Sequence, residues 1–274
     1  MSAIHGVRLG VPGGLPAVLA HCFLGHSGTW PRLLSALRTP LDARAFDMPG
    51  HGRSADWSGQ GDLLAEVAGL IGERVGAAAL LVGHSFGGAA VLRFALENPA
   101  RTMGLVLIEP VFFAAARDEP EQGPYLQAEA GLHAAFAAGD MARAGREFLA
   151  LNGDAGAWDA LPAPQRVQIV RQMPMIAASV DRVHVDKCGL LAPGRLEAFD
   201  RPVLLIDGAA SPPIFGAVNR ALERRLKRAR RVTVPGAGHM LPITHAAAVA
   251  AEIDAWLNAE LAWQAAQKPE TRAG

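Results

Sequence analysis

The sequence predicts an α/β protein in which a mostly parallel central sheet is flanked by helices, and three observations support this prediction. Short apolar runs typical of buried strands alternate with segments of helical spacing. The run LLVGHSFGG at residues 80–88 carries one such strand into a glycine-flanked serine and then into a helix-forming segment. Finally, the 274 residues are 50% hydrophobic, which suffices for one well-buried domain.

Six apolar runs predict the strands, at residues 17–21, 43–47, 79–82, 104–108, 202–206 and 231–234. Five segments predict the flanking helices, at residues 30–38, 61–75, 88–98, 214–227 and 246–267. Each helix stands where a crossover between parallel strands is required. The alternation therefore predicts a sheet that is covered on both faces.

The pattern changes between Pro110 and Asp200. This stretch contains no convincing strand, and Pro162, Pro164 and Pro174 break its alanine-rich helical pieces. We interpret it as a helical cap inserted after one strand of the sheet. The predicted organisation is a core of residues 1–111 and 200–267, a helical cap insertion of residues 112–199 and a flexible tail of residues 268–274.

Charge and cysteine content restrict the class of partner. The 26 basic and 26 acidic residues balance without a long block of like charge, so no binding to nucleic acid or to an anionic membrane is expected. Cys22 and Cys188 form neither a disulfide framework nor a metal-ligand spacing, and no early apolar stretch could cross a bilayer. We expect a small-molecule substrate, no cofactor or metal, and a cytoplasmic location, whereas the oligomeric state stays open.

Ser85 is the first candidate for chemistry. It would stand at the apex of a sharp strand-to-helix turn, where Gly83 and Gly87 avoid side chains that would collide. The helix that follows directs its N–H groups and the positive end of its dipole at negative charge developing beside Ser85. Strand, turn and helix together indicate a nucleophile elbow.

A second candidate feature is the HCFLG loop at residues 21–25, which follows the first long apolar run. The carboxyl ends of parallel strands share one edge of the sheet, so this loop can direct a backbone N–H towards Ser85. The N–H groups of Phe23 and Phe86 would then form a pair of donors for a tetrahedral oxyanion.

The loop DMPGHGRS at residues 47–54 follows the next apolar run. Its proline and glycines predict a compact turn in which Asp47 and Ser54 satisfy loop amides. We interpret this loop as structural and do not count His51 as catalytic.

The last strand leads into the sequence GAGH, which ends at His239. Its imidazole is predicted to take the proton of Ser85 as general base and to return it to the leaving group. His245 is a weaker candidate for this role. Two other histidines, His26 and His84, are predicted to flank and shape the substrate pocket.

Taken in order, the motifs HCFLG, DMPGHGRS, GHSFGG and GAGH resemble those of the α/β-hydrolase superfamily, and the resemblance covers most of the chain outside the predicted cap. It implies an α/β-hydrolase fold with a serine nucleophile, a histidine base and a backbone oxyanion hole, as in the esterase-like and lipase-like members. Cys22 departs from the pattern, since members usually carry glycine there.

The acid of the triad also departs from the resemblance. Most relatives carry an aspartate in the loop after the strand at residues 202–206, where this chain has Ser211. A serine cannot supply the negative charge that stabilises imidazolium. Glu109 is the preferred acid because it ends the strand after the elbow helix, from which some haloalkane-dehalogenase-like members take theirs. Asp207 is the alternative.

The resemblance implies hydrolysis of a carboxylic ester, or a close acyl-transfer reaction, through an acyl-enzyme. A serine nucleophile excludes haloalkane-dehalogenase and epoxide-hydrolase reactions, which need a carboxylate that forms an alkyl ester. Apolar side chains in the predicted cap indicate a small to medium apolar group on the substrate. The residues predicted to line this pocket are Phe112, Phe113, Phe136, Phe148, Trp158, Met173 and Met175.

Two alternatives stay open. A carbon-carbon bond hydrolase or a lyase could use the same serine, and the loop at residues 21–30 resembles that of such relatives. A non-catalytic ligand-binding protein would explain the missing aspartate, but retention of both Ser85 and His239 argues against it.

Overall fold

The computed structural model describes residues 3–153 and 156–267, with side chains up to residue 260. Its described strands are β1 (Gly6–Gly10), β2 (Leu15–Ala20), β3 (Leu41–Phe46), β4 (Ala79–His84), β5 (Thr102–Ile108), β6 (Val203–Gly208) and β7 (Ala229–Val234). They form one sheet in the order β1-β3-β2-β4-β5-β6-β7. Only β1 runs antiparallel to its neighbour within this described sheet. The predicted α/β class with a mostly parallel sheet is confirmed.

The predicted strands correspond to β2 through β7, whereas sequence reasoning missed β1. This strand is only five residues long, begins and ends with glycine, and alternates between exposed and half-buried positions at the edge of the sheet. No residue of β1 is fully buried, so the strand produces no continuous hydrophobic run. The apolar pattern therefore indicated six strands, including β7 at the opposite edge, but not β1.

The described helices are α1 (Pro31–Ala36), α2 (Leu63–Arg74), α3 (Phe86–Glu97), α4 (Gln122–Ala137), α5 (Met141–Leu151), α6 (Ala157–Ala160), α7 (Ala163–His184), α8 (Pro213–Glu223), α9 (Leu241–Thr244) and α10 (Ala246–Gln267). Five of them, namely α1, α2, α3, α8 and α10, correspond to the helices that the sequence predicts. Their ends differ from the prediction by up to four residues, as is usual for fraying or capped helix ends.

The core lies on both faces of the sheet because neighbouring strand residues point in opposite directions. Leu81 of β4 packs in one apolar cluster with residues of α2, α3 and α8. The adjacent residue, Leu80, packs in a second cluster with Leu33 of α1 and Val249 and Trp256 of α10. Helices therefore cover both faces, which leaves the carboxyl edge of the strands for loops.

Residues 112–199, referred to below as the helical segment, connect β5 to β6 and contain α4 to α7 but no strand among their described residues. Pro162 precedes α7 and Pro164 lies in its first turn, as expected for helix-starting prolines. The predicted break at Pro174 is wrong, because α7 continues through it. A proline removes one helical hydrogen bond, and burial of the flanking Met173 and Met175 side chains holds the helix in place.

The five arginines between positions 224 and 231 contact carboxylates of neighbouring elements. Their ion pairs are Arg224–Glu119, Arg225–Glu197, Arg228–Glu260, Arg230–Glu252 and Arg231–Asp207. The arginine side chains are between about a quarter and three-fifths exposed, so these pairs add little to stability. The predicted tail, residues 268–274, lies outside the described residues.

Candidate active site

Ser85 stands between the last residue of β4 and the first residue of α3. Its backbone has φ 56° and ψ −118°, a conformation that is strained for a residue with a side chain. Two hydrogen bonds stabilise this conformation. The Ser85 N–H donates to Ile108 O at 2.9 Å, and the Ser85 carbonyl accepts from Val111 N–H at 3.2 Å. The structure thus has the strand–turn–helix geometry of a nucleophile elbow.

Two glycines make this turn sterically possible. A Cβ atom on Gly83 would lie 2.5 Å from the carbonyl oxygen of Gly87 and equally close to a Val91 methyl group. A Cβ atom on Gly87 would overlap the carbonyl oxygen of Ala20 and lie 2.5 Å from that of His21. Both positions therefore exclude any side chain, as the sequence pattern indicates.

Glu109 follows β5 directly and is fully buried. Its backbone N–H donates to Ile206 O, and it too has a positive φ of 44°. One carboxylate oxygen, Oε1, accepts from the Gly208 N–H at 2.7 Å, and the other, Oε2, lies 2.6 Å from Nδ1 of His239. Both oxygens of the buried carboxylate are thereby occupied.

His239 lies in the loop between β7 and α9 and is buried. Its ring stacks on Phe215 with centroids 4.3 Å apart, and its carbonyl accepts from Nε2 of His84 at 2.8 Å. In the tautomer whose Nδ1–H donates to Glu109, the Nε2 atom carries the lone pair. Nε2 is thus the ring nitrogen that does not contact Glu109.

Asp207 has different partners. It lies in β6, and its carboxylate accepts from the Arg231 guanidinium at 3.1 Å and from the Thr233 hydroxyl at 2.7 Å. The side-chain amide of Asn219 donates to it as well. These contacts engage Asp207 away from His239, whereas Glu109 contacts that ring directly.

Phe23 and Phe86 lie side by side, with their rings stacked at a centroid distance of 4.2 Å. Neither backbone N–H donates a hydrogen bond to another residue within the described part of the chain. The next residue, Leu24, has a positive φ of 63°, and its N–H donates to Nε2 of His51 at 3.2 Å. The loop after β2 is thus held in an unusual conformation beside the start of α3.

Two neutral histidines connect the loops that follow β2 and β3. Burial lowers the pKa of His21 to about 3 and that of His51 to about 4, so both rings stay uncharged at neutral pH. His21 Nε2 accepts from Met48 N–H at 2.9 Å. Asp47 accepts from the N–H groups of Ser27 and Arg53. These bonds agree with the structural interpretation of the loop at residues 47–54.

Backbone strain is concentrated at this edge of the sheet. Four non-glycine residues of the described chain have a positive φ, namely Leu24, Ser85, Glu109 and Asp186. The first three belong to the loop after β2, the elbow and the end of β5, and only Asp186 lies elsewhere. Such strain persists where surrounding contacts over-determine it, and it is enriched at active sites.

Ser85 lines a small cavity of about 50 Å³, referred to below as the serine cavity. Phe23 forms part of its wall, and the remaining lining comes from Val111 and the helical segment and includes Phe113, Tyr125, Glu129, Phe148, Ile176 and His184. Of the apolar residues expected to line the substrate pocket, Phe113 and Phe148 do so.

The other predicted pocket residues lie elsewhere. His26 is exposed and caps a short 3-10 turn by accepting from Gly28 N–H, so it does not line the serine cavity. His84 lies behind His239, where burial lowers its pKa well below the ordinary value. Phe112 packs in the core instead. These three positions therefore depart from the prediction that they line the substrate pocket.

Among the residues of the serine cavity that sequence reasoning missed are Tyr125, Glu129 and His184. The sequence contains a signal for Glu129. Tyr125, Glu129, Leu132 and Phe136 share one face of α4 at helical spacing, so Glu129 interrupts an apolar stripe. A buried carboxylate in such a stripe requires a partner, which the sequence does not identify.

Within residues 3–153 and 156–267 no cluster of three or more His, Cys, Asp or Glu side chains could hold a metal ion. Among the same residues, no helix is both long and apolar enough to span a membrane. Cys22 and Cys188 are both free thiols.

Comparison with known proteins identifies relatives of this chain. The sequence profile of the alpha/beta hydrolase family matches residues 17–252. Pimeloyl-(acyl-carrier protein) methyl ester esterase of Nitrosomonas europaea is 28% identical over 245 residues, which cover 87% of this chain and 93% of that protein.

Two further relatives differ in coverage. The dihydrolipoyllysine-residue acetyltransferase component of the acetoin cleaving system of Pseudomonas putida is 41% identical over 123 residues, or 44% of this chain, but the match spans only 32% of that protein. The solved structure of a Rhodococcus 2-hydroxy-6-oxo-6-phenylhexa-2,4-dienoate hydrolase superimposes with a TM-score of 0.70 at 19% identity, covering 94% of this chain and 95% of the other. This last similarity shows a shared fold.

Proposed function

This chain belongs to the alpha/beta hydrolase family, and from that premise we propose that it is a serine hydrolase that cleaves carboxylic esters through an acyl-enzyme. The observation that carries the proposal is the 2.6 Å contact between Glu109 and His239, in the loop region next to the strained elbow of Ser85. Through this contact Glu109 provides the carboxylate that the loop after β6 lacks. The lack of that carboxylate was the reason for considering a non-catalytic binding protein.

In the first half-reaction, Nε2 of His239 takes the hydroxyl proton of Ser85 as the serine oxygen attacks the ester carbonyl. Glu109 stabilises the imidazolium that forms. The unpaired N–H groups of Phe23 and Phe86 would receive the oxyanion of the tetrahedral intermediate. Collapse of the intermediate breaks the ester bond, and His239 protonates the departing alcohol.

In the second half-reaction, His239 deprotonates a water molecule that attacks the acyl group on Ser85. The same two N–H groups stabilise the second tetrahedral intermediate. Its collapse returns the proton to Ser85 and releases the carboxylic acid. The chemistry is complete with the residues of this chain and one water molecule, so the mechanism calls for no cofactor.

The substrate class is proposed on two grounds. The Nitrosomonas europaea relative, which spans most of both chains, is named as a methyl ester esterase. The lining of the serine cavity is largely apolar and includes Phe113 and Phe148. An ester with a small to medium apolar group fits this lining. A cytoplasmic location stays a prediction from the two free cysteines.

We assign the helical segment the role of a cap over Ser85. The serine cavity of about 50 Å³ holds a few water molecules at most, whereas ligand sites usually exceed about 300 Å³. Binding of an acyl group therefore requires α4, α5 or α7 to move away from Ser85. Motion of a lid of this kind sets the turnover rate of many enzymes.

Labelling with a fluorophosphonate tests the proposed function. The activated hydroxyl of Ser85 is expected to react, and mass spectrometry should locate the adduct on that residue. The Ser85→Ala protein serves as the matched control and should carry no label. Absence of an adduct on the correctly folded protein would refute the proposal, since an elbow serine without activation is not a nucleophile.

The apolar groove outside the serine cavity leads to a prediction about substrate length. This outer groove, about 540 Å³, is bordered by α4, α5 and residues 212–214. Tyr125 and Leu151 line both the groove and the serine cavity, so they form the partition between them. Leu151→Ala should raise kcat/KM for p-nitrophenyl octanoate relative to the acetate by about tenfold, because it opens space for a longer chain.

Leu149→Ala is the control for this prediction. Leu149 packs against the core from the same helix but lines neither cavity, so its truncation should leave the ratio of octanoate to acetate hydrolysis unchanged. An equal ratio in the Leu151 and Leu149 variants would contradict the role of Leu151 as a partition.

A further inference from the structure

The helical segment brings a charged and polar pair into the wall of the serine cavity. Glu129 on α4 and His184 at the end of α7 both line it. The Glu129 carboxylate accepts from Nε2 of His184 at 3.1 Å, and the two side chains are only 5% and 11% exposed. Neither residue takes part in the proposed mechanism. Burial of a carboxylate among apolar side chains carries a desolvation cost, so the presence of Glu129 here requires an explanation.

Aromatic side chains fix the orientation of the His184 ring. The Phe113 ring lies 4.9 Å from it, and the Tyr125 ring stacks on it at 6.3 Å with an interplanar angle of 18°. Burial, with the nearby Glu129 charge, raises the pKa of Tyr125 well above its ordinary value, so the phenol stays protonated. His184 is therefore a rigid group rather than a mobile surface side chain.

Two buried atoms of the pair have no hydrogen-bond partner, namely Nδ1 of His184 and Oε2 of Glu129. The half-exposed ring of His133 approaches Oε2 to 3.5 Å without forming a hydrogen bond. In the tautomer whose Nε2–H donates to Glu129, Nδ1 of His184 is an acceptor, as is the carboxylate oxygen. The pair that lines the cavity thus contains two unsatisfied acceptors and no free donor.

We propose that Glu129 and His184 form a subsite that accepts a hydrogen bond from a hydroxyl group of the substrate. This inference rests on the proposed function and makes it more specific: the preferred substrate is an ester that carries a hydroxyl on its acyl chain. Buried acceptors left unpaired penalise a ligand that lacks the donor, so the subsite selects for the hydroxyl and against its plain analogue.

The charge of the pair favours a hydroxyl over other polar groups. A substrate carboxylate would be repelled by Glu129 and could not donate to it. An ammonium group could donate, but it would lose its water shell to a cavity otherwise lined by residues such as Phe23, Leu132 and Ile176. A neutral hydroxyl supplies the missing hydrogen bond at the lowest desolvation cost.

The test compares matched p-nitrophenyl esters on the intact chain. The pairs are butyrate with 3-hydroxybutyrate and hexanoate with 6-hydroxyhexanoate, and 6-aminohexanoate provides the charged donor. For the wild type we expect kcat/KM to favour the hydroxy ester of at least one pair by about 10- to 100-fold. Glu129→Leu and His184→Phe should each bring that ratio close to one, because each breaks the pair and removes one of its two acceptors while filling the same apolar space.

Ser179→Ala is the matched control. Its hydroxyl also lines the serine cavity but already donates to Met175 O at 2.9 Å, so its loss should leave the ratio as in the wild type. The ratio is taken within each protein, which cancels differences in the folded fraction. Three results would overturn the subsite. The wild-type ratio could be near one for both pairs, the wild type could prefer the amino ester, or Ser179→Ala could lower the ratio as much as the Glu129 and His184 variants do. If neither ester reacts and Ser85 takes no fluorophosphonate, the proposed function fails as a whole, which is a separate result.

Discussion

Glu109→Gln is expected to lower kcat for ester hydrolysis by about 1,000- to 10,000-fold while changing KM little. Glutamine has nearly the same shape and can keep the hydrogen bond from Gly208 N–H to its oxygen. Its amide nitrogen would then face Nδ1 of His239, which favours the wrong tautomer and removes the charge that stabilises imidazolium. Steady-state kinetics with a p-nitrophenyl ester would measure the effect.

Asp207→Asn is the matched control, since it makes the same chemical change one strand away. Asp207 accepts from Arg231 and Thr233 rather than from His239, so kcat should fall less than about tenfold. Urea unfolding of both variants would show whether either is simply less folded. A large loss of kcat in Asp207→Asn together with a small one in Glu109→Gln would reverse the assignment of the acid.

Gly87→Ala is expected to lower the free energy of unfolding by about 3 kcal/mol or more. The added methyl group would meet the carbonyl oxygens of Ala20 and His21, which are backbone atoms and cannot rotate away. Relief requires α3 to move off the sheet, and this movement would also displace Ser85. The variant should therefore unfold at lower urea concentration and label more slowly with fluorophosphonate.

Gly69→Ala provides the comparison. Gly69 is an exposed residue inside α2, and a Cβ atom there would meet nothing within 4 Å. Alanine has the higher helix propensity, so this variant should gain about 0.5–1 kcal/mol in unfolding free energy. If the two substitutions shifted the unfolding midpoint equally, steric exclusion at the elbow would not be the cause.

The fold was predictable because its signal is local and repeated. Each buried strand is a short apolar run, and each crossover helix has its own periodicity, so the order of elements follows from the chain itself. The edge strand β1 and the continuous helix α7 were not predictable. β1 buries too little apolar surface to be recognised. α7 stays helical at Pro174 because of tertiary packing, which helix propensity does not describe.

The candidate site likewise contains residues that local motifs reveal and contacts that only the folded chain makes. Ser85 and His239 are recognisable because glycine-flanked loops after strands carry them, and Glu109 because it ends a strand. The choice between Glu109 and Asp207 depends on which carboxylate reaches the imidazole across the sheet, a distance that no local pattern encodes. Glu129 and His184 are 55 residues apart, and they meet because α4 and α7 both pack against α5.

The position of Glu109 at the end of β5 has a consequence for how this enzyme could change. The loop after β6 carries Ser211 where the resemblance implies an aspartate, and the following residues Pro212, Pro213 and Ile214 border the outer groove. Glu109 and the residues at positions 212–214 thus lie on separate stretches of chain, whereas Phe215, the next residue, stacks on His239. Substitutions at positions 212–214 change neither member of the carboxylate–imidazole pair, so this rim is a starting point for directed evolution of selectivity, provided that Phe215 is kept.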